Sequence, residues 1–139
     1  MTAPLDLLTG AQDATVKLLR DQLPAAQREM VRHSLKQGTT PPFHLVGDMD
    51  SDNIGGKDEQ FEQINVDVHT VYKGADRREL LGLMHTVRIA IDGKSLTIGD
   101  MLFRFQFAGA AASTAAADGV TYAGITTIEV YAEPADPAE

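Results

Sequence analysis

The sequence predicts an α+β domain: an antiparallel sheet of about four strands, a long helix packed on one face, and additional helices at the N-terminus. Three observations predict it. Between Gln60 and Ile91 a strand pattern gives way to a helix pattern within one segment, residues 5 to 37 keep a helical apolar spacing, and the second half of the chain alternates with period two.

The N-terminal helices follow from Leu7, Leu8, Ala11, Ala14, Thr15, Leu18 and Leu19, which fall on one stripe. Gly10 weakens the early turns by about 1 kcal/mol relative to alanine. Pro24 breaks or restarts the helix, and Ala25 to Lys36 carries a second stripe through Met30, Val31 and Leu35. Gly38-Thr39-Thr40-Pro41-Pro42 ends helical structure, and Phe43, Leu45 and Val46 open a first strand. The polar stretch from Asp48 to Glu59 reads as a loop.

In the next strand Ile64, Val66, Val68 and Tyr72 alternate with Gln63, Asn65, Asp67 and His69, one dry face against one wet face. Asp76-x-x-Glu79 then offers a helix start, and Leu80, Leu83, Met84, Val87 and Ile91 recur at helical spacing. Asp92-Gly93 closes that helix with a left-handed residue. Met101, Phe103, Phe105 and Phe107 alternate with Leu102, Arg104 and Gln106 in a third strand. Ala108 to Ala117 has no large apolar residue with which to dock a helix, and reads as a mobile hairpin loop. Asp118-Gly119 is turn chemistry, and Val120 to Tyr131 forms the last strand, with Tyr122, Ile128 and Val130 as its inner face. Residues 1–132 are expected to form a single domain and 133–139, with Pro134 and Pro137, a disordered tail.

Composition restricts the function classes. The chain has 139 residues, enough for one domain that buries roughly two thirds of its unfolded surface. It lacks cysteine, which excludes disulfides and thiolate metal sites. No signal-peptide pattern opens it, and no apolar run approaches the roughly 20 residues of a membrane span, so a soluble protein made in the cytoplasm is expected. Net charge is −8 and the basic residues are scattered, Arg77-Arg78 being the densest pair, which argues against direct nucleic-acid binding.

The chemical motifs are weak. Asp48, Asp50, Asp52 and Glu59 match part of a calcium-loop spacing, but Asn53 stands where glycine is expected and the flanks read as strands rather than helices. The histidines His33, His44, His69 and His85 form no ligand pair at helical spacing; His69 reads as a solvated or interface residue, and His85 as partly buried. Gly55-Gly56-Lys57 lacks the remaining residues of a phosphate loop, and Ser34, Ser51, Ser95 and Ser113 lie outside any nucleophile elbow. The sequence therefore assigns no catalytic residue, no metal and no cofactor.

The order of elements carries a resemblance over roughly residues 40 to 132. Helices, a strand after Pro41-Pro42-Phe43-His44-Leu45-Val46, an acidic loop, the strand Ile64-Asn65-Val66-Asp67-Val68-His69, the helix from Asp76, the Phe103 strand and the Asp118-Gly119 turn resemble the tail terminator, or tail completion, proteins of long-tailed bacteriophages and related tailed particles. The resemblance implies a non-enzymatic virion protein of the tail or neck, assembled in the host cytoplasm. It implies a homo-oligomeric ring, usually of six subunits, that caps the tail tube and meets a head-tail connector or stopper protein. Such a ring has no membrane partner and no sequence-specific nucleic-acid partner, although DNA can pass through its lumen, where a negative wall shortens its residence.

Within that reading the interface candidates are Asn65, Asp67 and His69 on the wet strand face, Asp50, Asp52, Gly55, Gly56 and Lys57 in the acidic loop, and Ala111, Ala112, Ser113 and Thr114 in the small-residue loop. Another neck component, a head-closure or tube protein, and a small α+β ligand-binding domain or enzyme stand as alternatives.

Overall fold

The computed structural model describes residues 5–34, 39–56 and 59–135. It is sheet-dominated. Six strands, β1 (Val31–Arg32), β2 (Phe43–Asn53), β3 (Glu62–Lys73), β4 (Ser95–Ile98), β5 (Met101–Ala112) and β6 (Thr121–Pro134), form one sheet in the order β1-β2-β3-β6-β5-β4. The sheet curls into a half-barrel, and the two helices α1 (Leu7–Gln22) and α2 (Arg77–Ile91) pack on its inner face.

The expected fold class is therefore corrected. The sheet has six strands rather than about four, and it is mixed, because β1 pairs parallel to β2 while every other pair is antiparallel. Among the described residues the second N-terminal α-helix does not form: Ala25–Met30 is a 3-10 helix and Val31, fully buried, enters the sheet. Its neighbour Leu35 lies outside the described residues. Strand β4, which the sequence reading passed over, covers the β5 edge with only four residues.

Two hairpins account for most of the sheet. β2 continues well past Val46 through Asp48, Asp50 and Asp52, so the acidic stretch is strand and the connection to β3 is confined to the residues after Asn53. β5 likewise continues through Ala108 to Ala112, which lies opposite Gly124. Small side chains offer no packing signal there; the ladder to β6 holds them through the backbone. Beyond Ala112 the turn remains bonded, Ser113 N–H donating to Ala123 at 2.8 Å and Ala116 N–H to Thr121 at 2.8 Å. Asp118 closes it, its carboxylate accepting from Thr121 and from the Val120 N–H at 2.9 Å. Those bonds, led by the Thr121 hydroxyl, hold the Asp118 carboxyl down at about 2. Glu133 and Pro134 belong to β6, opposite Leu102 and Met101.

Helix α1 starts at Asp6, which accepts from Thr9 N–H at 3.0 Å. Gly10 has a packing role beyond its propensity cost: a Cβ there would lie 2.7 Å from the Phe103 ring, so glycine lets the helix rest directly on β5. Helix α2 starts at Asp76, which accepts from Arg78 N–H at 2.9 Å, and is followed by Gly93 at φ 74°. Together the helices supply Leu7, Ala11, Leu19, Val87 and Ile91 against Ile64, Val66, Val68, Phe103, Phe105, Ile128 and Val130 in one core. Each large side chain so buried contributes on the order of 1.5–3 kcal/mol. Leu83, expected in this core, is only half-buried.

The histidines reverse roles. His85 is exposed, whereas His44 is fully buried on the inner face of β2, its Nδ1 2.8 Å from Thr70 Oγ1 and its Nε2 without a partner. An unpaired lone pair costs less than an unpaired N–H, which favours the tautomer in which Nδ1–H donates to Thr70. Burial pushes this imidazole from 6.5 down to about 4. Because the folded value is depressed, the neutral side chain's stability contribution is complete above about pH 6.5 and is lost as pH falls towards 4. We expect the stability difference between wild type and His44→Gln to shift by up to about 3 kcal/mol across that window, read by denaturant melts at pH 7 and pH 4. A difference independent of pH would show that His44 titrates normally.

Candidate functional site

Among the described residues no helix covers the outer face of the sheet. Alternation along β3 turns Ile64, Val66 and Val68 inward and Asn65, Asp67 and His69 outward. The strand registers align these outward residues into rows. Leu45, His69, Ile125 and Ala111 form one row across β2-β3-β6-β5, Asp50, Asn65, Glu129 and Gln106 a second, and Asp52, Gln63, Tyr131 and Arg104 a third.

Between the first two rows the β2 register shifts, so that Gly47 and Asp48 together stand across from Asp67. This bulge turns Asp48 outward, and the ligand atoms of Asp48, Asp67 and His69 all come within 4.8 Å of one another. The His69 ring occupies the space a side chain at position 47 would need, since a Cβ on Gly47 would approach its Cδ2 to 2.5 Å. Three oxygen and nitrogen donors on an open face can hold a cation or a hydrogen-bonding partner alike.

Cross-strand hydrogen bonds fix the rest of the face. Thr127 Oγ1 donates to Asp67 at 2.8 Å, Asn65 Nδ2 to Asp50 at 2.9 Å, and Gln63 Nε2 to Glu129 at 2.8 Å. Tyr131 donates to the same Glu129 carboxylate at 3.2 Å, and burial, with Glu129 beside it, raises the phenol above its ordinary value. Charge on the face is predominantly acidic: Asp48, Asp50, Asp52, Asp67, Glu129 and Glu133 against Arg104, which pairs with Glu133 at 2.9 Å.

Of the residues singled out in the sequence, Asn65, Asp67, His69, Asp50 and Asp52 thus share one surface, and Ala111 joins their first row. Asp50 and Asp52 reach it from a strand, so the calcium-loop arrangement does not form. Gly55 and Gly56 sit in the β2–β3 connection, where Gly55 N–H donates to Phe61 and Glu59 N–H to Gly56. Lys57 lies outside the described residues. Ala112, Ser113 and Thr114 are at the opposite end, because the β6 register places the Thr121 end beside Lys73 and the Ala132 end beside Glu62. Gln63, already on the wet face of β3, joins them, whereas Thr127, Glu129 and Tyr131 were missed; their signal was the same alternation, followed one strand further.

A second exposed surface lies on the helix layer. Arg78, Leu81, His85 and Ile89 recur at one-turn spacing on α2, flanked by Arg77 and Arg88, and all six are exposed. Leu81 and Ile89 are 45% and 61% exposed, unusual for large aliphatic side chains in a helix interior.

No protein-family model and no curated protein matches the sequence. A solved structure shares the fold. It is a chain from the virion of a native gene transfer agent particle, matching with a TM-score of 0.77 at 16% identity over 88% of this chain and 93% of that one.

The face assignment predicts opposite outcomes for two substitutions. Val87→Asp, which buries a carboxylate in the core, should abolish cooperative unfolding at 25 °C, whereas Asp67→Ala should cost less than about 1 kcal/mol. Comparable destabilisation of both in urea melts would mean that the outer face is packed.

Proposed function

We propose that this chain is a structural virion protein of a long-tailed phage or phage-like particle. In this reading it forms a ring that caps the tail tube, ends tube polymerisation and joins the tail to the head connector. The observation that carries the virion role is the likeness to the gene transfer agent chain, which spans nearly the whole of both proteins. A match over 88% of this chain and 93% of that one extends beyond a shared hairpin or sheet motif.

Three features support the capping role. The outer sheet face is broad, polar and ordered by its own hydrogen bonds, which suits docking without further ordering cost. The hairpin connections project at opposite ends of the sheet, so one subunit can meet two different partners along the particle axis, tube on one side and connector on the other. The net charge of −8 suits a ring whose lumen DNA crosses. Six subunits are the number that the tail-terminator resemblance favours.

A ligand-binding or catalytic reading has less support. The depression between α2 and the 3-10 helix is an open trough in which Thr86 donates to Gln27 at 2.6 Å, unlike the enclosed apolar sites that small molecules use. A different neck role, as a head-closure or tube protein, uses the same surfaces with other partners.

Particles produced without the gene decide between these roles. The capping role predicts tails of uncontrolled length, detached from filled heads, in negative-stain images. Normal tails on heads would refute it, and absent tails would point to the tube role.

A further inference from the structure

We propose that the exposed face of α2 in one copy docks on the acidic outer sheet face around β2 and β3 of the next copy, as the repeating contact of a closed ring. The inference rests on the ring reading and specifies its interface. It starts from the unequal distribution of charge. A chain with 20 acidic and 12 basic residues nevertheless places three arginines, Arg77, Arg78 and Arg88, around one helix face, with Leu81 and Ile89 exposed between them. The bare sheet face holds Asp48, Asp50, Asp52 and Asp67 on its β2–β3 half.

Charge then selects the mode of association. Two α2 faces repel each other, and two acidic sheet faces repel each other, so symmetric pairing through either surface is opposed. Only the unlike pairing is attractive, and it is heterologous by construction. The helix layer and the outer face lie on different sides of the sheet, so each copy presents one surface of each kind and the contact can repeat until a rotation closes it.

The details of α2 fit a docking face. Arg88 is held with its guanidinium carbon 4.1 Å from the centroid of the Phe107 ring, which fixes its position before contact. Glu79, the acidic residue of the first turn, lies away from the stripe and borders the trough beside Gln27, and Asp92 is engaged by Phe107 N–H at 3.0 Å. Arginine is enriched at protein interfaces, and the fully buried core of such a patch is more apolar than the rest of the surface. On the receiving face, no side chain or N–H among the described residues engages the carboxylates of Asp48 and Asp52, which leaves them open to an incoming guanidinium, whereas Asp50 and Asp67 keep a free oxygen beside their single bond.

The test uses two full-length variants and their mixture, measured by light scattering at concentrations where wild type assembles. The helix-side variant is Arg78→Glu with Ile89→Asp; glutamate suits a first helical turn, and position 89 is exposed, so folding is retained. The sheet-side variant is Asp50→Ala with Asp52→Ala, both at exposed positions. Thermal melts confirm the fold, and the single Ile89→Ser variant replaces the helix-side pair if that pair melts early. Each variant alone should require at least about tenfold more protein to assemble. Their equal mixture should give a one-to-one heterodimer and stop there, since one intact contact survives per pair. Assembly of either variant at the wild-type concentration, or a mixture that stays monomeric, would overturn the interface while leaving the ring intact. Wild type that stays monomeric at every concentration and on purified tail tubes would instead defeat the ring reading itself.

Discussion

The ladder between β3 and β6 is the constraint on which the rest of the structure depends. It runs through 12 residue pairs, from Glu62 opposite Ala132 to Lys73 opposite Thr121, and joins two hairpins that would otherwise be separate ribbons. Its register admits no slip. A shift of one residue on β3 would carry Asp67 and His69 into the core and Val66 and Val68 into water, a loss far larger than any gain in pairing. With the register set, the inner face offers one continuous apolar surface, which α1 and α2 cover. The outer face is left as an ordered polar plane.

That asymmetry links fold to assembly. A sheet covered on one side presents two unlike surfaces, the backs of its helices and its own bare face, and unlike surfaces are what a ring of more than two subunits requires. The hairpins extend the same ladder to both ends, with the Gly55–Gly56 connection at one and the Asp118–Gly119 turn at the other. The proposed ring uses these surfaces for lateral subunit contacts and the ends for partner contacts.

Much of this plan was legible wherever side chains alternate or recur strongly. Ile64, Val66 and Val68, the Phe103 and Phe105 pair, and Leu80, Met84, Val87 and Ile91 on α2 all lie where their spacing puts them, Leu83 being the exception. Legibility failed where a strand is held by backbone pairing alone. Asp48 to Asn53 has poor strand propensity and no dry face of large residues, yet it pairs with β3 down to Asn53 opposite Glu62. Ala108 to Ala112 is bland for the same reason, and the two residues of β1 are too few to show any period. For the candidate surface, the outward residues of β3 could be read from one strand, but their neighbours Glu129 and Tyr131 required the register of β6. The cationic face of α2 had a visible sign in Arg77-Arg78, and Ile89, off the apolar stripe, was its second.

In the proposed ring the bare sheet face is covered on assembly. Hydroxyl-radical footprinting of the free chain and of assembled particles measures this directly, with His69 and Tyr131 as reactive reporters on the outer face. The account predicts that both are labelled in the free chain and that His69, at the β2–β3 half, is protected severalfold in particles. Equal labelling of His69 in the two states would contradict it.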